Sequence, residues 1–141
     1  MNSTLLVYPM FVMLLLTFSV VVRLFRARMK LVASGTLHPD FFKVYQGQSE
    51  PEAAAKLARH FTNLFEAPVL FYVVCLAAMT TQLTGPGFLV QAWIYVLARI
   101  IHTWIHTGSN KIWPRVYAYF ASWIVLLSMW IVLAFNISTA S

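Results

Sequence analysis

The sequence predicts an all-α integral membrane protein, a bundle of four transmembrane helices forming one domain over residues 1–141. Three observations carry this. Apolar residues make up 60% of the chain and charged residues 10%, against roughly 45–50% and 25% in soluble domains. All ten basic and four acidic side chains lie in two windows, Arg23 to Glu66 and Arg99 to Arg115. Residues 1–22, 67–98 and 116–141 carry no charge, and about 20 apolar residues cross about 30 Å of hydrocarbon. The turn signal Thr84-Gly85-Pro86-Gly87 divides the middle tract between two spans. Four helices are therefore expected, at about 5–30, 51–82, 88–107 and 112–135. No soluble domain, internal repeat or low-complexity segment interrupts them.

The net charge of +6 does not indicate nucleic acid, because basic residues clustered beside spans set topology. Lys and Arg flank the first and third connections, so both are expected in the cytoplasm, with both termini and the second connection outside. No positive residue precedes the first apolar run and no small-residue cleavage site precedes Arg23, so this segment reads as a retained helix, not a signal peptide. The lone Cys75 excludes an internal disulfide and reads as a small buried hydrophobe. Short loops and the lack of a retention signal point to a bacterial inner membrane.

The first span ends in Arg23, Arg26, Arg28 and Lys30. The last three read as positive-inside anchors that snorkel to the headgroups. Arg23 sits deepest, where a charge needs a partner or a wet cavity. The polar loop from Val32 to Glu50 contains Ser34-Gly35, His38-Pro39-Asp40 and Gln46-Gly47-Gln48, and His38, without a second ligand at metal spacing, reads as solvated. Ser49-Glu50-Pro51-Glu52 signals a helix start, with Ser49 able to cap and the acids suited to the helix dipole.

The second span begins in water and enters the bilayer near His60. Within it Arg59, Asn63 and Glu66 are spaced i, i+4, i+7 and share one face. Such a stripe is either an Arg-to-Glu pair fastening helices together or a site for a polar ligand. Asn63 between the charges favours the ligand. Pro68 is placed to bend the helix and free a carbonyl beside the stripe, and His60, about 100° away, reads as interfacial.

In the third span Arg99, His102 and His106 are spaced i, i+3, i+7. Two histidines at i, i+4 are able to bind a metal, but the only plausible third ligands, Glu66 and His60, have other accounts, so no metal is expected. A hydrogen-bonding face toward a polar ligand fits better. Gly108-Ser109-Asn110 ends the helix and Pro114 occupies the first turn of the next. In the fourth span Arg115 and Tyr119 share a face, while Trp113 and Tyr117 fit an aromatic belt. Three helices thus bring an Arg to the same depth beside Asn63, Glu66, His102, His106 and Tyr119. Arginines favour carboxylates through bidentate bonds and Glu66 suits an ammonium, which implies a small, zwitterionic, multiply acidic ligand.

The run Arg59-x-x-x-Asn63-x-x-Glu66-x-Pro68, followed by Arg99-x-x-His102 and Arg115-x-x-x-Tyr119, resembles the MAPEG superfamily, the membrane-associated proteins of eicosanoid and glutathione metabolism. Length, four spans and the charged first loop agree along nearly the whole chain. The resemblance implies a homotrimer that binds glutathione at subunit interfaces, with a lipid-side face open to lipophilic small molecules. It implies that Arg59, Asn63, Glu66, His102 and Tyr119 hold the tripeptide, that Arg23 contributes from the first helix, and that Arg115 stabilises the thiolate. Arg99 and His106 join that binding set by their shared face.

A thiol of pKa about 8.5 is only a few per cent ionised at neutral pH, and a nearby Arg favours the charged form. The thiolate would attack an electrophilic carbon or a peroxide oxygen. The expected function is a glutathione-dependent transferase or peroxidase, with glutathione as co-substrate. A non-catalytic ligand-binding or scaffolding trimer competes with it, ahead of a small transporter or a metal-dependent membrane enzyme. Three departures from the prostaglandin E synthase members count against a prostaglandin isomerase. Thr62 stands where a further Arg is expected, His106 where a Tyr is, and Val116 where a Ser follows the Arg. His106 still donates a hydrogen bond, and its protonation would make binding pH-dependent.

Overall fold

Long uncharged runs bounded by Arg, Gly and Pro leave the backbone one way to satisfy its own polar groups inside lipid, and that is the helix. A computed structural model describes residues 3–45, 47 and 49–140. Met1, Gln46 and Gln48 lie outside the described residues. Among the described residues six α-helices follow a short 3₁₀ turn at Ser3–Leu6: α1 (Val7–Ala33), α2 (Phe41–Val44), α3 (Glu52–Asn63), α4 (Ala67–Thr81), α5 (Pro86–Thr107) and α6 (Ile112–Ala140). Among the described residues four stretches are long and apolar enough to cross a membrane: Ser3–Ala33, Glu52–Thr81, Pro86–Thr107 and Ile112–Ala140. The all-α membrane fold read from the sequence is the fold observed.

The second span is not one continuous helix. It breaks at Leu64–Glu66, because Pro68 has no N–H to offer the carbonyl four residues back and takes a first-turn position of α4 instead. The break splits the stripe, so Arg59 and Asn63 end α3 while Glu66 precedes α4. Ser49 does not cap: the residue before α3 is Pro51, with no side-chain cap. The fourth span, α6, runs to Ala140, a turn beyond its expected end. In the first loop, α2 was not anticipated. It folds Phe41, Phe42 and Tyr45 edge to face at 5.3–6.3 Å, and these rings recruit Arg28. That side chain does not snorkel to headgroups: its Nε donates to Glu50 Oε1 at 2.7 Å, Nη1 donates to Tyr45 Oη at 3.3 Å, and the guanidinium lies 5.1 Å from the Phe42 ring. A carboxylate within reach is a better partner than a distant headgroup.

The core lies between α1, α4, α5 and α6. Phe71 and Tyr95 stack with centroids 4.4 Å apart, flanked by Val74, Cys75, Ala78, Ala92, Met129 and Leu133, all buried. Cys75 is thus the buried hydrophobe expected. Ala78 and Ala92 permit close helix approach, and Gln91 Nε2 donates across α5 and α6 to Ser128 Oγ at 3.2 Å, the kind of small-residue and polar contact that joins helices in lipid. Outward faces stay apolar, with Phe11, Phe18, Ile124, Leu127, Ile131 and Phe135 exposed. Between α1 and α4, Val7, Phe11, Leu14, Phe65 and Val69 line a groove of about 470 Å³.

Candidate functional site

The ends of α3, α5 and α6 meet around a polar hollow of about 220 Å³ lined by Asn63, His102, His106, Arg115, Val116 and Tyr119. Spacing explains who reaches it. His102 and His106 are one turn apart on α5, as are Arg115 and Tyr119 on α6, and Asn63 is delivered by the end of α3. The loop between α5 and α6 fixes Arg115. Asn110 adopts φ 51°, which Asn tolerates better than most residues, and its Oδ1 accepts from Arg115 Nη1 at 2.7 Å. Gly108 allows that turn: a Cβ there would sit 2.8 Å from the Trp104 carbonyl oxygen. Its own carbonyl accepts from Lys56 Nζ at 3.0 Å.

Behind the hollow Arg99 is fully buried. Its Nη2 donates to Asn63 Oδ1 at 2.7 Å and to the Asn63 carbonyl, at the break in the span, at 3.3 Å. Asn63 Nδ2 in turn donates to Glu66 Oε2 at 3.1 Å. The amide is thus a bridge between cation and carboxylate, with the cation deep and the carboxylate exposed. Among the described residues Arg99 has no ion-pair partner, and its Nε and Nη1 are buried without a hydrogen bond. A buried charge in that state is costly unless an anion approaches.

Not every residue anticipated for the site faces this hollow. Arg59 is exposed and borders a separate hollow of about 420 Å³ with Leu24, Arg28, Tyr45 and Thr62. Arg23 borders a third, of about 400 Å³, beside Trp104 and Gly108, and its Nη1 donates to Thr107 Oγ1 at 3.0 Å. Asn63, Glu66, Arg99, His102, His106, Arg115 and Tyr119 form one connected group within a single chain. Arg59 and Arg23 stand on different faces of it.

Residues 6–135 match the family model described as MAPEG family. The chain belongs to the MAPEG family. Neither the curated proteins nor the solved structures gave a match. Its four spans and its family together make this an integral membrane protein. Membership puts it among membrane proteins of glutathione and eicosanoid chemistry, which include transferases, peroxidases and non-enzymatic members.

A further residue departs from its expected setting. His60 is not interfacial but fully buried, its Nε2 3.0 Å from Thr103 Oγ1, with its ring 4.7 Å from that of His106 and 5.4 Å from that of His102. The helical wheel placed it off the stripe correctly, but α5 packs against that flank of α3, so the off-stripe direction leads inward. Thr103 and Asn110, which position His60 and Arg115, escaped the sequence reading because each acts through a contact between elements. The only trace of Asn110 was its place in the turn after Gly108.

Proposed function

We propose that this MAPEG protein is a glutathione-dependent transferase or peroxidase that ionises the thiol of the bound tripeptide for attack on a lipophilic electrophile or a lipid hydroperoxide. The observation that carries the reading is the buried Arg99, held by Asn63 and without a salt-bridged carboxylate among the described residues, behind a hollow that Arg115 lines. Two guanidiniums without a directly salt-bridged carboxylate among the described residues favour an anion, and glutathione brings two carboxylates and, when activated, a thiolate. Arg115, anchored by Asn110, is the residue to stabilise that thiolate. Tyr119 and His102 line the same wall, and Glu66 is open to an ammonium.

Size supports assembly between subunits. Ligand pockets span roughly 300–1,000 Å³, and the hollow in one chain is about 220 Å³. A homotrimer would enlarge it with a neighbour's surface and give Arg59 and Arg23, which face other hollows, a route into a shared site. The apolar groove between α1 and α4 offers a lipophilic co-substrate a surface reached from the bilayer. Val116 in the hollow wall fits a transferase or peroxidase better than a prostaglandin isomerase. The active site is proposed to lie toward the cytoplasmic face of a bacterial inner membrane, with both termini outside.

The test is the far-ultraviolet thiolate absorbance of glutathione added to detergent-purified protein at neutral pH, compared with Arg115→Ala. A signal that saturates with glutathione and is lost in the variant is expected. No signal, together with no binding by calorimetry, would assign the pocket to another ligand and favour the non-catalytic trimer.

A further inference from the structure

We propose that His60, His102 and His106 form a three-histidine site for a divalent transition-metal ion, Zn²⁺ being the best fit, with an anion in the fourth position. One ring nitrogen from each lies within 4.8 Å of those of the other two. His102 and His106 come from one face of α5 at i, i+4, a chelating spacing, and His60 crosses from α3. His60 and His102 are at most 2% exposed.

The hydrogen bonds set the tautomers. Thr103 Oγ1 donates its one hydrogen to the Arg99 carbonyl at 2.8 Å, so toward His60 it accepts, and the proton sits on His60 Nε2. The Arg115 carbonyl, 3.1 Å from His102 Nδ1, also only accepts. His60 Nδ1 and His102 Nε2 therefore carry lone pairs. Among the described residues both are buried without a hydrogen bond, as is His106 Nδ1. This is how metal-binding histidines are held, with one nitrogen donating to a hydroxyl or carbonyl and the other left as ligand. Zn–N bonds of about 2.0–2.1 Å in a tetrahedron bring ligand atoms to about 3.3 Å, so modest ring rotations close the triangle.

Neutral imidazoles suit Zn²⁺ and its neighbours in the first transition row, and three of them leave one position open. The cations Arg99, on α5 itself, and Arg115, on α6, oppose a bare dication. They would favour one that carries hydroxide or a thiolate, and His102 and His106 also line the hollow from which such an anion would arrive. The inference goes beyond the glutathione reading and does not depend on it.

Co²⁺ titration of tag-free protein in detergent tests the site, since four-coordinate cobalt absorbs in the visible. We expect one Co²⁺ per chain, displaced by Zn²⁺, lost in His60→Ala, weakened about 10–100-fold in Thr103→Val, and unchanged in His38→Gln in the exposed loop. Absence of stoichiometric Co²⁺ and Zn²⁺ binding in the unaltered protein overturns the proposal, as does binding that survives in His60→Ala. Glutathione calorimetry on the same preparation keeps the two readings apart: tripeptide bound without cobalt removes the metal site alone, and cobalt bound without tripeptide removes the transferase reading alone.

Discussion

The two halves of the bundle solve opposite problems. In one, Phe71 stacks on Tyr95 and small side chains at Ala78 and Ala92 let Met129 and Leu133 interlock with them. In the other, Arg99, His60, His102 and His106 account for five of the eight buried side-chain atoms that lack a hydrogen bond among the described residues. Each such group costs roughly 1–3 kcal/mol if left unmet. The apolar half leaves the Tyr95 hydroxyl unmet among the described residues, whereas the polar half gives up more stability to hold donors and lone pairs ready.

The sharpest test of that contrast pairs one variant from each half. Phe71→Ala should lower stability by about 2 kcal/mol, the packing share of the 3–5 kcal/mol typical of soluble cores, because lipid removes much of the transfer term. Arg99→Met should leave the thermal midpoint in detergent unchanged or raised, since apolar replacements of buried charges are often neutral or stabilising. Glutathione affinity should fall about 100-fold in Arg99→Met, matching roughly 3 kcal/mol for truncating a buried charge pair. Thermal unfolding and calorimetry on both proteins decide it. If Arg99→Met unfolds as early as Phe71→Ala, Arg99 is a fastener and the contrast collapses.

Within the polar half, activation and binding should separate. Arg115→Ala is expected to return the bound thiol to a few per cent thiolate at neutral pH with glutathione affinity within threefold of the parent, read by absorbance and calorimetry. Asn63→Ala should do the reverse. It removes the acceptor of the 2.7 Å bond from Arg99, so affinity should fall about tenfold, one hydrogen bond to a charged group being worth roughly 1.5–3 kcal/mol, while the thiolate fraction of what binds stays high. Equal losses in both properties for both variants would mean that one collapsed pocket lies behind them.

How much of this was legible follows the same divide. Charge-free runs and turn residues mark spans whatever their neighbours, so the four-span fold could be read directly. Arg99 with His102 and Arg115 with Tyr119 were also legible, because each pair lies on one uninterrupted helix. The Arg59, Asn63 and Glu66 stripe was only half right: Pro68 announced a break but not that the helix would end at Asn63. His60 failed for another reason. A wheel gives a direction and not the neighbour in that direction, and which flank of α3 meets α5 is set by tertiary packing. Arg28 was missed in the same way, since nothing in its helix announces Glu50, which arrives 22 residues later.

The smallest expected effects come from two arginines that border one hollow. Arg28 and Arg59 both line it, but Arg28 is held by Glu50 and Tyr45, whereas Arg59 has no carboxylate partner among the described residues. A guanidinium already neutralised has little left for an anion, while an unpaired one keeps its full field. Arg28→Gln should therefore lower stability by about 1 kcal/mol, a partly buried pair exceeding the weakest surface bridges, and leave glutathione affinity within twofold. Arg59→Gln should leave stability alone and weaken affinity several-fold if its hollow joins the site of a neighbouring subunit. Calorimetry on the two variants checks both. Affinity unchanged in Arg59→Gln would confine the site to the single-chain group around Arg99 and remove the argument from Arg59 for a site shared between subunits.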